Sequence, residues 1–470
     1  MTDLSQEFVS FVGEDGVEVR GSLVRVAPQA VAFEVFQPTI TVRLSQVLSP
    51  VKIHIGQELV YDGRAVIVSV VTTDKGSICE AQLSDAWIDV GPMDVNKVAA
   101  GLRQSLSSFF VNWQQQYRVD DRFKLVIADM ENFFDHLRLW LGQVELRIRR
   151  QPADVQARLE KEFWKELGAD ITHGIRVMFD RFEEVARQIA PADVPAHRAF
   201  ARRLIHPLLL ASPFVHRTYT KPLGYAGDYE MVNMMVRDAV QGPNLFSKAI
   251  NIYALDLPPI LAHRNRLDIL RRRLSEEAVR RSQTGRQLEV LNVGCGPAQE
   301  IVRFLNLDAV SDRVAFTLID FNEQTIKDTQ RELEQIKARQ RRKTTLEFTR
   351  QSVQQILKQS VRKVTSAPAR TYDFIYCAGL FDYLPDSVCL GLMNYFYELL
   401  KPGGVVLSTN VDDHPSRLEM EFFLEWHLIY RDHDRMWRLR PESAAREDCR
   451  LYCDDTGVNL FLEAEKPARV

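Results

Sequence analysis

The chain has 470 residues, 46% of them apolar, with 60 Lys and Arg against 63 Asp and Glu. That length holds two or three domains, and the near-cancelling charge excludes a whole-chain basic field of the kind nucleic-acid binders carry. No apolar run approaches the ~18 residues of a membrane span. The first residues, MTDLSQEFVSF, lack a signal-peptide core, so a cytoplasmic location is expected. Six scattered cysteines make neither a disulfide framework nor a zinc pattern, so no metal is expected.

Residues 1–92 read as a small β-barrel. Runs such as VRGSLVRV, AVAFEV, VKIHI and ELVYDGRAVIVSVV are short, rich in Val and Ile, and alternating. Asp62-Gly63 is a hairpin-turn signal, and Asp74-Lys75-Gly76 a looser one. The pattern resembles the PilZ domain, a barrel that in many bacterial proteins binds cyclic di-GMP. The ligand motifs of that family are missing. No arginine pair precedes the barrel, and Arg25 to Ala30 stand where Asp/Asn-x-Ser-x-x-Gly would fall. The expectation is a degenerate PilZ-like barrel that docks a protein partner or a second copy of the chain.

Residues 93–285 turn helical. SLSSFFVNWQQQY, VIADMENFFDHLRLWLGQVELRIRR and ADVQARLEKEFWKELGADITHGIRVMFDRFEEVARQI carry apolar residues at three and four spacing. Their aromatics, Trp140, Phe163 and Trp164 among them, read as helix-packing core. Residues 217–231, RTYTKPLGYAGDYEM, crowd tyrosines, glycines and charges into one connector. Such a segment fits a lid over a ligand, with Tyr225 and Asp228 as candidate catalytic residues. The arginine-rich stretch at 261–286 reads as a solvated helix face, so a nucleic-acid partner is not expected.

Residues 286–325 read as strand, glycine turn, helix, strand and acid. Leu288 to Val293 is an apolar run; Gly294, Cys295, Gly296 and Pro297 form a tight turn; a second run ends in Asp320. An acid at that strand end can accept both ribose hydroxyls of an adenosine. A dinucleotide fingerprint would need glycine at 299, where this chain has Gln299, so an adenosyl ligand without a pyrophosphate is favoured. LNVGCGPA, LIDFN, YDFIYCAGLFDYL and KPGGVVL, in this order, resemble the class I S-adenosylmethionine-dependent methyltransferases.

The resemblance implies a multidomain α+β and α/β chain. It would have an N-terminal barrel (1–92), a central helical region with a cofactor lid (93–285) and a C-terminal Rossmann-like methyltransferase sheet (286–466). It implies S-adenosyl-L-methionine as cofactor, held by Asn292, Gly294, Cys295, Gly296, Asp320, Phe321, Gln351, Ser352, Ala378 and Gly379, with Tyr383 beside the transferred methyl. Asn292 departs from the Asp or Glu usual in the family. The KPLGYAGDY and CAGLFDYLPD segments resemble a bacterial subgroup described as extracellular-factor, or 3-hydroxypalmitate methyl ester, biosynthesis proteins. That implies O-methylation of a small or lipid carboxylic acid, with Leu380, Phe381, Phe422, Phe423 and Trp426 as an acyl pocket. Two other readings remain at this stage: a regulatory protein that binds the cofactor without turnover, and an RNA methyltransferase using the arginine-rich helix.

Overall fold

The computed structural model describes residues 7–13, 17–27, 29–36, 42–56, 58–73, 76–85, 106, 107, 110, 118–283, 285–362 and 370–468. The chain divides into two compact units. The first comprises Met1–Ala226, Ala239–Leu255 and Pro415–His427; the second comprises Gly227–Asp238, Asp256–His414 and Leu428–Val470. Barrel and helices share buried contacts, such as that of Arg198 with Gln82, and the helix at 258–282 packs on the sheet.

In chain order the first elements are β1 (Phe8–Val12), β2 (Glu18–Ala27), β3 (Ala30–Val35), β4 (Val47–Ile55), β5 (Glu58–Thr73) and β6 (Gly76–Leu83). They close a barrel in the order β1-β2-β3-β6-β5-β4, as the alternation requires. Val9, Phe11, Val31, Phe33, Val51, Ile53, Ala65 and Ile67 point inward and fill it. One turn expectation fails. Asp62 and Gly63 lie inside β5, opposite Lys52 and Val51. The β4–β5 reversal falls instead at Gly56, whose φ of +62° suits a residue without a Cβ. Apolar β-formers on both sides of Asp62-Gly63 carry the ladder through it. The Asp74–Gly76 reversal is consistent with the pairing of Thr73 with Gly76, although residues 74 and 75 lie outside the described set.

Among the described residues seven helices follow: α1 (Asp121–Arg149), α2 (Ala153–Ala186), α3 (Val194–Leu209), α4 (Pro213–Thr220), α5 (Tyr229–Val236), α6 (Leu245–Leu255) and α7 (Pro258–Ser282). The expected helix at 105–117 lies mostly outside the described residues. Asp120 caps α1 by accepting from the amides of Arg122 and Phe123. In the first unit, Phe134, Phe179 and Phe182 form a buried aromatic core with Tyr253 and with Phe422 and Phe423 of the 415–427 excursion. Trp140, expected in the core, is half exposed. The helix expected over 412–435 breaks. Arg417 to Leu424 form two short helical turns, Glu425 takes φ +50°, and a separate short helix spans His433–Trp437.

The second unit is a seven-stranded sheet with strands β7 (Leu288–Val293), β8 (Val314–Asp320), β9 (Thr345–Arg350), β10 (Tyr372–Cys377), β11 (Leu400–Val411), β12 (Cys449–Cys453) and β13 (Asn459–Glu465). Their order is β12-β13-β11-β10-β7-β8-β9, parallel except for β13, which runs antiparallel to both its neighbours. Helices α8 (Gln299–Leu307) and α9 (Glu323–Gln340) join α7 on one face, and α10 (Val353–Arg362) and α11 (Asp386–Glu398) cover the other. The strand order reverses between β7 and β10. That switch point opens a crevice at the strand ends, the usual ligand position in such sheets.

Arginines of α7, read from sequence as a solvated face, pair with acids of the same unit. Arg273 meets Glu463 and Glu276, Arg280 meets Glu277 and Glu465, Arg271 meets Asp308, and Arg281 meets Asp373. The basic run is therefore largely neutralised within the fold.

Candidate active site

After β7 the chain turns sharply, with φ of +70° at Gly294, +51° at Gly296 and +48° at Ala298. The amides of Gly294 and Cys295 both donate to the Ile319 carbonyl, at 2.8 and 3.0 Å, which pins the turn to β8. A Cβ at Gly294 would lie 3.3 Å from Leu380, whereas one at Gly296 would meet nothing within 4 Å. The backbone at 296 is thus open to a ligand. Burial raises the Cys295 thiol well above its ordinary value, so it is a packing group and not a thiolate.

Asp320 ends β8 beside this turn. Its carboxylate accepts from the Gly296 amide at 3.1 Å and from the Asn322 amide at 2.9 Å. A carboxylate at such a strand end can also accept from a ribose hydroxyl. The next backbone contact runs from the Gln351 amide to the Asp320 carbonyl, at 2.9 Å. Gln351 Nε2 is buried without a hydrogen-bond partner among the described residues, an orphan donor next to the acid. Ser352 Oγ accepts from the Gln355 amide at 3.3 Å and so begins α10. The Phe321 carbonyl accepts from Arg350 Nε at 3.1 Å. An open glycine backbone, a strand-end acid and an orphan donor together fit an adenosyl group.

On the other side of β7, Asn292 Nδ2 donates to Glu300 Oε1 at 3.1 Å and to Tyr376 Oη at 3.0 Å, and Tyr376 Oη donates to Glu300 Oε1 at 2.8 Å. Burial raises the Glu300 carboxyl, and the hydrogen bond from Tyr376 opposes that rise. The acid missing from the strand at 292 is thus supplied from α8, in the next turn of chain. Glu300 and Tyr376 were not singled out from sequence. The available signal was an acid in the first turn of α8.

The loop after β10 forms the far wall. Ala378 packs into the core below, and the Gly379 amide donates to Thr409 Oγ1 at 3.1 Å. Asp382 is buried. Its Oδ1 accepts from the Val411 amide at 2.8 Å, and its carbonyl accepts from Ile429 N at 2.7 Å. Burial lifts its carboxyl to about 6, with Arg266 and Arg431 opposing. The fully buried Arg431 fixes the loop by donating to the carbonyls of Phe381 and Leu384 and to Asp386. Tyr383 stands beside Gly227, where an added Cβ would approach its Oη to 2.8 Å.

Segment 217–231 is not one irregular loop. Thr218 to Thr220 complete α4, and Asp228 caps α5. In the first unit, Lys221 Nζ donates to the Leu424 carbonyl at 3.0 Å, and the Gly224 carbonyl accepts from Val47 of the barrel at 2.8 Å. Tyr225 belongs to the first unit and is partly buried. In the second unit, α5 is tied to the start of α8 by Gln299 Nε2, which donates to Asn233 Oδ1 at 2.9 Å. The expected acyl-pocket residues Phe422 and Phe423 fill the aromatic core of the first unit, and Phe381 is fully buried in the second. Their apolar surface is consumed by packing.

Asp228 Oδ1 accepts from the Met231 amide at 2.8 Å, an N-cap. Asp228→Ala is expected to cost about 1 kcal/mol of stability, and Asp228→Ser to restore most of it. Denaturant unfolding of both variants checks this. Equal stability of the Ala variant and the unsubstituted chain would remove the cap from the account.

Residues 261–447 match the family described as a methyltransferase domain. The second unit carries a methyltransferase domain. Its cofactor is S-adenosyl-L-methionine, which the glycine turn and Asp320 suit. The structure is similar to a Bordetella parapertussis protein described as a possible exported protein, with 21% identity and a TM-score of 0.42, over 64% of this chain and 97% of that one. It is also similar to magnesium protoporphyrin IX methyltransferase from Synechocystis PCC 6803, crystallised with SAH bound, with 12% identity and a TM-score of 0.36, over 54% and 98% of the two chains. A third similarity is to the N-methyltransferase NodS from Bradyrhizobium japonicum WM9, with 15% identity and a TM-score of 0.27, over 42% and 96%. No curated protein matches the chain.

Proposed function

We propose that this methyltransferase transfers its methyl group to the oxygen of a carboxylic acid, a small acid or a fatty acid. The observation that carries the reading is the state of three histidines and an aspartate that could otherwise serve as base; His414, buried in the second unit, is the further candidate that the pH test below addresses. His206 is buried with its ring on the Phe423 carbonyl, and burial with Arg202 pushes it down to about 4. His427 is pushed well below its ordinary value by burial and by Arg198. Both belong to the first unit. In the second unit His263 is likewise held neutral by burial and by Arg266. Asp382 is engaged by the backbone of β11. A carboxylate acceptor is ionised at neutral pH and needs none of them.

When bound, S-adenosylmethionine supplies an electrophilic methyl on a sulfonium. Asp320 and the open glycine turn at 294–296 hold the nucleoside. Gly379 to Tyr383, fixed by Arg431, shape the wall where the acceptor oxygen must lie in line. Tyr225, Asp228 and Tyr383 remain the proposed residues on the acceptor side. The fatty-acid acceptor rests on the resemblance of KPLGYAGDY and CAGLFDYLPD. The N-terminal barrel, PilZ-like but without ligand motifs, is proposed as a docking or dimerising module of a cytoplasmic enzyme.

The test is a pH–rate profile with labelled cofactor and carboxylic acids of increasing chain length. A flat profile between pH 6 and 9 is expected. A limb near ~6.5 that a histidine substitution abolishes sinks the carboxylate reading. Label recovered only in RNA or protein sinks it as well.

A further inference from the structure

Arg266 of α7 reaches the loop that follows β10. Its Nη2 lies 2.6 Å from His263 Nδ1. A guanidinium has no acceptor, so it donates, and the buried imidazole must be neutral with its proton on Nε2. That Nε2 has no partner among the described residues. The guanidinium lies against the Gly379 backbone, where an added Cβ would come 2.9 Å from Nη2 and 3.1 Å from Nη1. Asp382 and Glu300 act on it through the field, yet no carboxylate is in ion-pair contact with it among the described residues. Arg273, Arg280 and Arg281 of the same helix each have such a partner. Burial works against the Arg266 charge, while its side chain stays partly exposed. An arginine kept charged, partly desolvated and without an acid partner is arranged to receive one.

Position says which acid. Asp320 ends β8 on one side of β7, and Gly379 follows β10 on the other. Neighbouring strands are about 4.8 Å apart, so these two points are separated by about 10 Å across the glycine turn. That is the length scale of the methionyl arm running from a ribose seated on Asp320. We propose that Arg266 is the receptor for the α-carboxylate of S-adenosylmethionine. This rests on the cofactor assignment, but not on the acceptor. Glu300, beside Asn292 and Tyr376, acts on the arginine only through the field.

The experiment is calorimetric titration of the full chain and of Arg266→Leu with S-adenosylmethionine and with its decarboxylated form. The two ligands differ only in the carboxylate. The unsubstituted chain is expected to prefer S-adenosylmethionine by roughly 30-fold, the scale of one charge-assisted pair. Arg266→Leu should lose that preference while holding the decarboxylated ligand within about threefold, which also shows an intact crevice. Arg266→Lys should recover part of the preference. Equal loss for both ligands would reduce Arg266 to a structural role and overturn the proposal. Unchanged S-adenosylmethionine affinity with a raised acceptor KM would overturn it in favour of the acceptor carboxylate. An unsubstituted chain that binds both ligands equally would overturn this inference alone. One that binds neither would overturn the cofactor assignment as well.

Discussion

Asp320→Ala is expected to weaken S-adenosylmethionine binding by two to three decades. A charge-assisted hydrogen bond contributes about 1.5–3 kcal/mol, and the carboxylate can make one to each ribose hydroxyl. About 1.4 kcal/mol corresponds to a decade, so losing both reaches that range. The substitution also strips acceptors from the Gly296 and Asn322 amides, so the turn itself loosens. Part of the loss is therefore disorganisation of the site. Asp320→Asn separates the two contributions. Its amide oxygen can still accept one backbone hydrogen, but its NH2 faces donors on the other side. It should bind with an affinity between those of the unsubstituted chain and Asp320→Ala. Calorimetry on variants whose thermal unfolding remains cooperative measures this. A folded Asp320→Ala chain with unchanged affinity would remove Asp320 from the nucleoside site.

The parts of this site legible in the sequence are those governed by local backbone chemistry. Gly294 and Gly296 announce a turn because few other residues tolerate their φ values, and Asp320 announces itself by ending a strand. Arg266, Glu300 and Tyr376 were not legible, because their roles come from which elements the sheet order brings together. In sequence, Arg266 is one arginine among many on a basic helix. Only the packing of α7 separates it from Arg273 and Arg280, which meet acids of β13 and of their own helix. The same applies to Asn292. Its missing charge looked like a defect until α8 placed Glu300 against it.

The barrel and doubly wound sheet were legible from period-two and continuous apolar runs respectively. The excursion at 415–427 was not. FFLEW has the apolar density of a helix, but Phe422 and Phe423 serve the core of the first unit, and Glu425 turns left-handed before Trp426. A long-range partner, and not a local propensity, sets that conformation. KPLGYAGDY shows a similar limit. Its glycines and tyrosines marked an unusual segment, but not that Lys221 would be buried beside Glu425.

Glu425 is the residue on which the first unit should prove most sensitive. Its carboxylate meets Arg202 Nη1 at 2.5 Å, Arg64 Nη2 of the barrel at 3.1 Å and Lys221 Nζ at 3.9 Å. Burial alone would raise its pKa, but Arg202, Lys221 and Arg64 outweigh that and hold it at about 2. Lys221 is pushed the other way. Burial takes it down to about 7, with Arg64 and Arg202 adding to the fall and Glu425 resisting it. Removing the single acid leaves buried cations uncompensated, so Glu425→Ala is expected to cost about 3–5 kcal/mol. Pairing it with Lys221→Met should return part of that, since one stranded charge goes with it. The pH dependence has a definite sign for each group. The pKa of Glu425 is depressed in the fold, so its contribution is present above about pH 4.5 and is lost as pH falls towards 2. Lys221 binds its proton less readily folded than unfolded, so its penalty is full below about pH 7 and fades as pH rises towards 10.5. The stability difference between the unsubstituted chain and Lys221→Met should therefore shift in favour of the unsubstituted chain between pH 7 and 10. Denaturant titrations at several pH values read both effects. A Glu425→Ala cost under 1 kcal/mol, or a pH-independent difference at Lys221, would show that solvent and not the protein carries these charges.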